Sequence, residues 1–359
     1  MTGAEKNSLL ISTDSTLAEI PDGSYDEIWE AIEERLWGDG LPVVPPTVDR
    51  VRRFVRAANR APDEVIGVLP LRAGKATVEV IAANAVMAGC RPEYMPVVIA
   101  AVKAATMPQV NLTALQTTTH PAGALIIVNG PIRNQLGMNA GAGAFGPGNR
   151  ANATIGRALR LVMLNVGGAR PGAGDYATQG QPGKYTYCVP ENEEANPWGS
   201  LAQARGFGQQ QNTVTVAPAE SPHNINEHVG ETAPYILENI AATIANPGAN
   251  NPHTMIIPEM WLFLCPEHAE AIHRGGFDRI SVQRFLYEHA RLRLAQYQRG
   301  PMWGMHDWPI WMQGTNPDAQ LPIVIEPDRF NIVVLGGAGK HSSWAPTNGG
   351  GRSATIAIE

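Results

Sequence analysis

Short apolar runs of strand length alternate along this chain with segments of helical periodicity, and that interleaving leaves few architectures open. Runs at Leu112 to Leu115, Ala124 to Val128, Thr213 to Ala217, Met255 to Ile257, Leu262 to Leu264, Ile323 to Ile325, Ile332 to Leu335 and Ala354 to Ile358 read as strands. Helical spacing marks Tyr25 to Trp37, Thr47 to Asn59, Thr77 to Ala88, Met95 to Ala105, Arg150 to Asn165, Pro234 to Ala245, Glu267 to His273 and Ser281 to Leu292. The pattern predicts an α/β fold in which a mixed sheet has flanking helices and long Gly/Pro-rich loops. Residues 1–24 read as a flexible lead-in, 25–294 as the main α/β domain, and 322–359 as strands that complete it. Between them, 295–321 carries Trp303, Trp308 and Trp311 and reads as a loop or an oligomer contact. Gly (37) and Pro (29) are abundant, yet hydrophobic content is 44 %, which points to a folded, loop-rich chain rather than disorder.

A formal net charge of -6 supplies no basic field for nucleic acid, and Arg50, Arg52, Arg53 and Arg56 read as one solvated helix face. Cys90, Cys188 and Cys265 are too few and too scattered for a disulfide framework or a thiolate zinc site. The N-terminal segment has acidic residues and no continuous apolar core, and no run reaches membrane-spanning length. These features set the expectation of a cytoplasmic protein without nucleic-acid or membrane partners. Only 17 % of the residues are charged, and loops that would otherwise be exposed can be buried between copies, so a homo-oligomer is expected.

The stretch Gly137 to Leu161 joins a glycine-rich turn to an amphipathic helix with Asn149 at the N-cap. Such a terminus offers unpaired N–H groups and a partial positive charge, so Asn149, Arg150, Asn152 and Thr154 are candidate ligands for a small anionic, carboxylate-like substrate. The plainer alternative is a surface turn leading into a core helix. The loop from Asn165 to Glu194 gathers Asp175, Lys184, Tyr185, Tyr187 and Cys188 without long aliphatic residues. Cys188 is a candidate nucleophile or an inert packed thiol, and Glu191 and Glu194 are candidate acids or the acidic first turn of a helix.

His223 and His228 follow the strand Thr213 to Ala217, where α/β proteins place ligands, and are candidates for proton transfer. Their spacing is not that of the helical zinc motif, so no metal ligand is assigned, although a divalent metal stays open. His120, in TTTHPAG, and Lys340 and His341, after a strand and a second glycine turn, can add polar or cationic walls for the substrate. Neither the G-x-x-x-x-G-K-[ST] nor a well-placed G-x-G-x-x-G nucleotide motif is present, and no organic cofactor is assigned.

The segments DGLPVVPPT, ANAVMAGCRPEYMPVV, TTTHPAG, GNRANATIGRALRL, NVGGARPG, PGKYTYC with ENEE, and HN with NEH resemble a bacterial family. Its members are found with, or fused to, proteins bearing a UGSC selenocysteine or cysteine motif. The family is similar, more remotely, to the selenoprotein B components of glycine and proline reductases. The resemblance covers roughly residues 25 to 290 and the final GGAGKHS segment, and the chain has no UGSC tetrapeptide of its own. It implies a thiol-dependent reductase or the partner subunit of one, with Cys90 as the redox residue by analogy and a UGSC-type protein as partner. The residues themselves favour acid–base chemistry on a small anion, of lyase or hydrolase type. A metal-dependent enzyme and a non-catalytic binding or assembly subunit are the other readings.

Overall fold

A computed structural model describes residues 9–13, 16–20, 23–253, 259–299, 310, 313–314 and 316–359. The class is α/β, as the interleaving predicts, but among the described residues the core strands form two four-stranded mixed sheets stacked face to face, with three two-stranded pairs outside them. In the first, the order is Ala354–Ala357, Thr213–Ala219, Gly123–Asn129, Cys188–Pro190, with only the last pair parallel. In the second, the order is Phe330–Val334, Met260–Leu264, His341–Pro346, His223–Asn226, with only the first pair parallel.

Strand alternation explains the layering. In Gly123–Asn129, Ile126 and Val128 join the core under the helices, while Leu125 and Ile127 join a separate core between the sheets. In Met260–Leu264, Trp261 and Phe263 enter that inter-sheet core, and Met260, Leu262 and Leu264 face the other way. The order is therefore helices, sheet, sheet, helices. A strand buried on both faces reads as a continuous apolar run, which is why neither sheet could be told from the other in sequence.

On the outer face of the first sheet lie the helices Val78–Ala88, Met95–Ala105 and Arg150–Asn165. The first is mostly apolar and buried, with Glu79 and Asn84 as its polar residues, a Thr77 N-cap accepting from the Val80 N–H and a left-handed Gly89 C-cap at φ 87°. One polar thread runs through this layer. Asn84 donates to the Val80 carbonyl at 2.9 Å, and Asn165 donates to Asn84 Oδ1 at 2.8 Å. Arg170 donates to Asn165 Oδ1 at 3.1 Å. Ala233–Ile244, Pro266–Arg274 and Arg279–His289 cover the second sheet. Among the described residues no single helix is long and apolar enough to cross a membrane.

Several elements differ from the sequence reading. Leu112 to Leu115 lies in a helix, Leu112–Thr117, because Asn111 adopts a left-handed conformation and accepts from the Ala114 N–H as an N-cap. Ile323 to Ile325 follows a strand, Gln320–Pro322, rather than forming one. His223–Asn226, which the sequence reading left unassigned after the strand Thr213 to Ala217, is an edge strand. Within 1–24, Leu9–Thr13 pairs antiparallel with Thr16–Ile20, so part of the expected lead-in is a hairpin. Met255 to Ile257, Trp303, Trp308 and Trp311 lie outside the described residues.

Candidate functional site

The helix Arg150–Asn165 has the predicted bounds, and Asn149 caps it, accepting from the Asn152 N–H at 3.0 Å. Its polar first turn, however, is committed to the protein itself. Asn149 donates to the Gly137 carbonyl at 2.8 Å. Asn152 is buried, exchanges hydrogen bonds with the Asn139 backbone at 3.1 and 2.9 Å, and donates to the Ala144 carbonyl. Thr154 Oγ1 donates back to the Arg150 carbonyl. Arg150 donates through Nε and Nη2 to the carbonyls of Gly89 and Cys90, at the end of the helix Val78–Ala88. The glycine loop packs on the second glycine turn, where the Gly336 N–H donates to the Ala140 carbonyl and a Cβ on Gly337 would lie 2.9 Å from Ala142 Cβ. Within the glycine loop, Gly137, Gly143 and Gly148 take positive φ with open space where a Cβ would stand, so they serve the turns of the loop rather than close packing.

The other candidates disperse. Cys188 is buried against Gly156 of the same helix, and burial, reinforced by Cys90, pushes its thiol up. Burial likewise raises Cys90, to about 12, and Cys265, so none of the three thiols is poised as a thiolate. Glu191 is fully buried and accepts from Asn129, Asn196 and the Leu201 N–H at 2.6 to 2.7 Å, a knot at the end of the first sheet. Burial raises its pKa against the pull of Arg279. Glu194 forms a two-pronged ion pair with Arg133 at 2.9 and 2.7 Å, which lowers its pKa to about 2.

His228 and His341 do meet, Nε2 to Nε2 at 3.1 Å, with His341 Nδ1 2.9 Å from Asn224 Oδ1 and Lys340 donating to the His228 carbonyl. His223 is excluded from this group by the pleat. It pairs with Trp344 and stacks edge-on against it at 6.0 Å, on the face opposite Asn224 and His341.

A larger constellation forms at the other end of the helix. A cleft of about 900 Å3 opens between the Glu33 to Gly40 segment and the loop 170–185. Arg160 reaches it from the helix, Arg170 and Asp175 from the loop that follows, and Lys184 from the short 3-10 turn Pro182–Lys184. Asp175 is buried and accepts from Lys184 Nζ at 2.7 Å, Arg160 Nη2 at 3.0 Å and the Ala177 N–H at 3.1 Å. Asp39, also on the cleft, is occupied by a forked pair from Arg157 at 2.7 and 2.8 Å.

The loop reaches this geometry through a tight turn. The Asp175 N–H donates to the Arg170 carbonyl, and Gly174, at φ 155°, is so close to the Gly168 carbonyl that a Cβ would lie 2.5 Å from its oxygen. Arg160 and Lys184 thus share the Asp175 carboxylate, while Arg170, Glu33 and Asp39 line the same cleft. Desolvation lowers the pKa of Lys184, with Arg160 adding to the effect and Asp175 opposing it. Desolvation also lowers Arg160, and lowers Arg170 with help from Arg72 and Arg160. A lysine destabilised as a cation beside a carboxylate, in a cleft that two guanidinium groups also line, is equipped to hold an anion and move a proton.

Of the predicted residues, His120 comes nearest. Ala122 and Gly123, just after it, line a small cavity together with Arg160 and Lys184. Its Nε2 lies 2.7 Å from Glu220 Oε1, and its buried Nδ1 has no hydrogen-bond partner. Next to Glu220, Ser221 donates to Gln181 Oε1, and Gln181 lines the cleft. Sequence reasoning grouped Asp175 and Lys184, weighed Lys184 only as a cation beside Cys188, and passed over Arg160 and Arg170. The available signal was Arg157 and Arg160 interrupting an otherwise apolar helix, GRALRLVML. Among the described residues no group of three or more His, Cys, Asp or Glu is placed to hold a metal ion. Compared with known proteins, the chain matches no family model, no curated protein and no solved structure.

Proposed function

We propose that this chain is a small-molecule enzyme whose substrate bears a carboxylate or similar small anionic group, bound in the cleft at the end of the helix Arg150–Asn165. The supporting observation is the buried Asp175 with Arg160 and Lys184 upon it and Arg170 on the same cleft, bonded there through one nitrogen to Asn165. Arg170, held by Asn165, offers its remaining N–H groups to the substrate anion. Lys184 moves a proton, with Asp175 fixing its ammonium and desolvation bringing its pKa toward the working range. This chemistry belongs to a lyase or hydrolase. The reductase reading implied by the family resemblance requires an accessible thiolate, and all three cysteines are buried.

Calorimetry with a panel of small mono- and dicarboxylates tests the site. Arg170→Ala should weaken binding at least about tenfold, since a charge-assisted hydrogen bond contributes about 1.5–3 kcal/mol. Lys184→Met should abolish turnover while binding stays within a few-fold, and it should remove the basic limb of the rate–pH profile. Unchanged carboxylate affinity in Arg170→Ala overturns the proposal. Replacing each cysteine by Ser tests the thiol reading directly, because a reductase must lose activity with one of them.

A further inference from the structure

The histidine pair at the edge of the second sheet has no part in the Asp175 cleft, whose lining includes neither ring. His341 opens the strand His341–Pro346, and His228 stands just past its antiparallel neighbour His223–Asn226, so strand pairing brings the two together. The turn that carries His228 is pinned. The Glu227 carboxylate accepts from the Val229 and Gly230 N–H groups at 2.7 and 2.6 Å and from Asn239 at 2.6 Å. Lys340 Nζ holds the His228 carbonyl at 3.1 Å.

The ring geometry is specific. The two Nε2 atoms are 3.1 Å apart and the rings are tilted by 76°, yet the ring centroids are only 4.8 Å apart, closer than a head-on contact through those atoms would hold them. This fits two nitrogens turned toward one point beside them. With its Nδ1–H donating to Asn224 Oδ1 at 2.9 Å, His341 keeps a lone pair on Nε2. An ion about 2.0–2.1 Å from each Nε2, the usual zinc–imidazole distance, would see them at an angle of roughly 100°, between the octahedral and tetrahedral values. The Asn224 bond is the outer contact that fixes ring and tautomer in metal-binding histidines.

Both histidines are exposed, so an ion reaches them from solvent. The Lys340 ammonium opposes a dication, and the Glu267 carboxylate, which accepts from the Gly339 and Lys340 N–H groups at 2.6 and 2.8 Å, offsets it. Among the described residues no third His, Cys, Asp or Glu joins the pair, so the remaining coordination falls to water. We infer that His228 and His341 form a binding site for one divalent transition-metal ion of the zinc or copper class, which clasps the edge strand to its neighbour. Imidazole nitrogens suit these ions, whereas Mg2+ and Ca2+ call for oxygen ligands.

Calorimetry on the untagged full chain with Zn2+, Cu2+ and Mg2+ tests this in wild type, His228→Ala, His341→Ala and His223→Ala. His223 lies across the pleat from Asn224 and His341, and all three substituted side chains are exposed, so the fold should survive, as a thermal melt will show. The expected result is one Zn2+ per chain, tighter binding of Cu2+ and none of Mg2+. Either variant of the pair should weaken Zn2+ binding at least about tenfold, since loss of an outer contact alone costs about 10–100-fold, and His223→Ala should bind as wild type does. The electron paramagnetic resonance spectrum of the Cu2+-loaded protein should show coupling to two imidazole nitrogens, reduced to one in either variant of the pair. Zn2+ affinity unchanged in both variants of the pair, or a Cu2+ spectrum that neither variant alters, overturns the inference.

Discussion

The two ends of the helix Arg150–Asn165 make opposite use of polar residues. At its start, the glycine loop supplies the pattern expected of an anion cradle, yet Asn149, Asn152 and Thr154 are bonded to the loop and helix backbone. Beyond its middle, Arg160 and the following loop carry no familiar motif, yet they gather Asp175, Lys184 and Arg170 on an open cleft. Which residues are free to serve a ligand is decided by hydrogen-bond accounting in three dimensions, and residue type alone does not reveal it.

The largest effect should come from breaking the second end. Asp175→Ala leaves Arg160 and Lys184 buried without their shared partner, and removal of one member of a buried ionic group costs about 3–5 kcal/mol. Urea unfolding should show a loss of that order, and a loss under about 1 kcal/mol would mean that solvent reaches these cations freely. At the first end, Asn152→Ala removes the clamp on Asn139 and Ala144 and should cost about 1–3 kcal/mol by the same measurement. Carboxylate affinity should stay at the wild-type value, and a large loss of affinity would restore the glycine loop as a ligand site.

The smallest effect belongs to Glu194, whose ion pair with Arg133 leaves its side chain 63 % exposed. Glu194→Gln should cost no more than about 1 kcal/mol at neutral pH. Because its folded pKa lies below the unfolded value, its contribution is present above about pH 4.5 and fades as pH falls toward about 2. Wild type and variant should therefore converge in strong acid.

Three helices were legible: Arg150–Asn165, capped by Asn149, and Met95–Ala105, with Pro96 in its first turn, have the predicted bounds, and Val78–Ala88 ends at Gly89 as expected. Leu112–Thr117 was not, because a four-residue apolar run fits either a strand or a helical turn and only the Asn111 conformation decides it. The split into two sheets was hidden because strands buried on both faces lose their alternation. At the candidate site, Lys184 and Asp175 stood out as charges in an aliphatic-poor loop, whereas Arg160 looked like one more helix-surface charge. Its partner, fifteen residues on, is supplied by a turn that exists only once Gly174 has folded against Gly168.

The strand Met260–Leu264 lies between Phe330–Val334 and His341–Pro346, so both its neighbours come from some seventy to eighty residues later in the chain. The edge of the other sheet, Ala354–Ala357, comes later still. During synthesis, Trp261 and Phe263 therefore emerge long before their own sheet can form around them, and the space between the sheets closes only after residue 346 has been made. Such distant pairing slows folding and exposes apolar surface in transit. The chain should fold late and largely after translation, with aggregation, rather than misplaced helices, as its principal hazard.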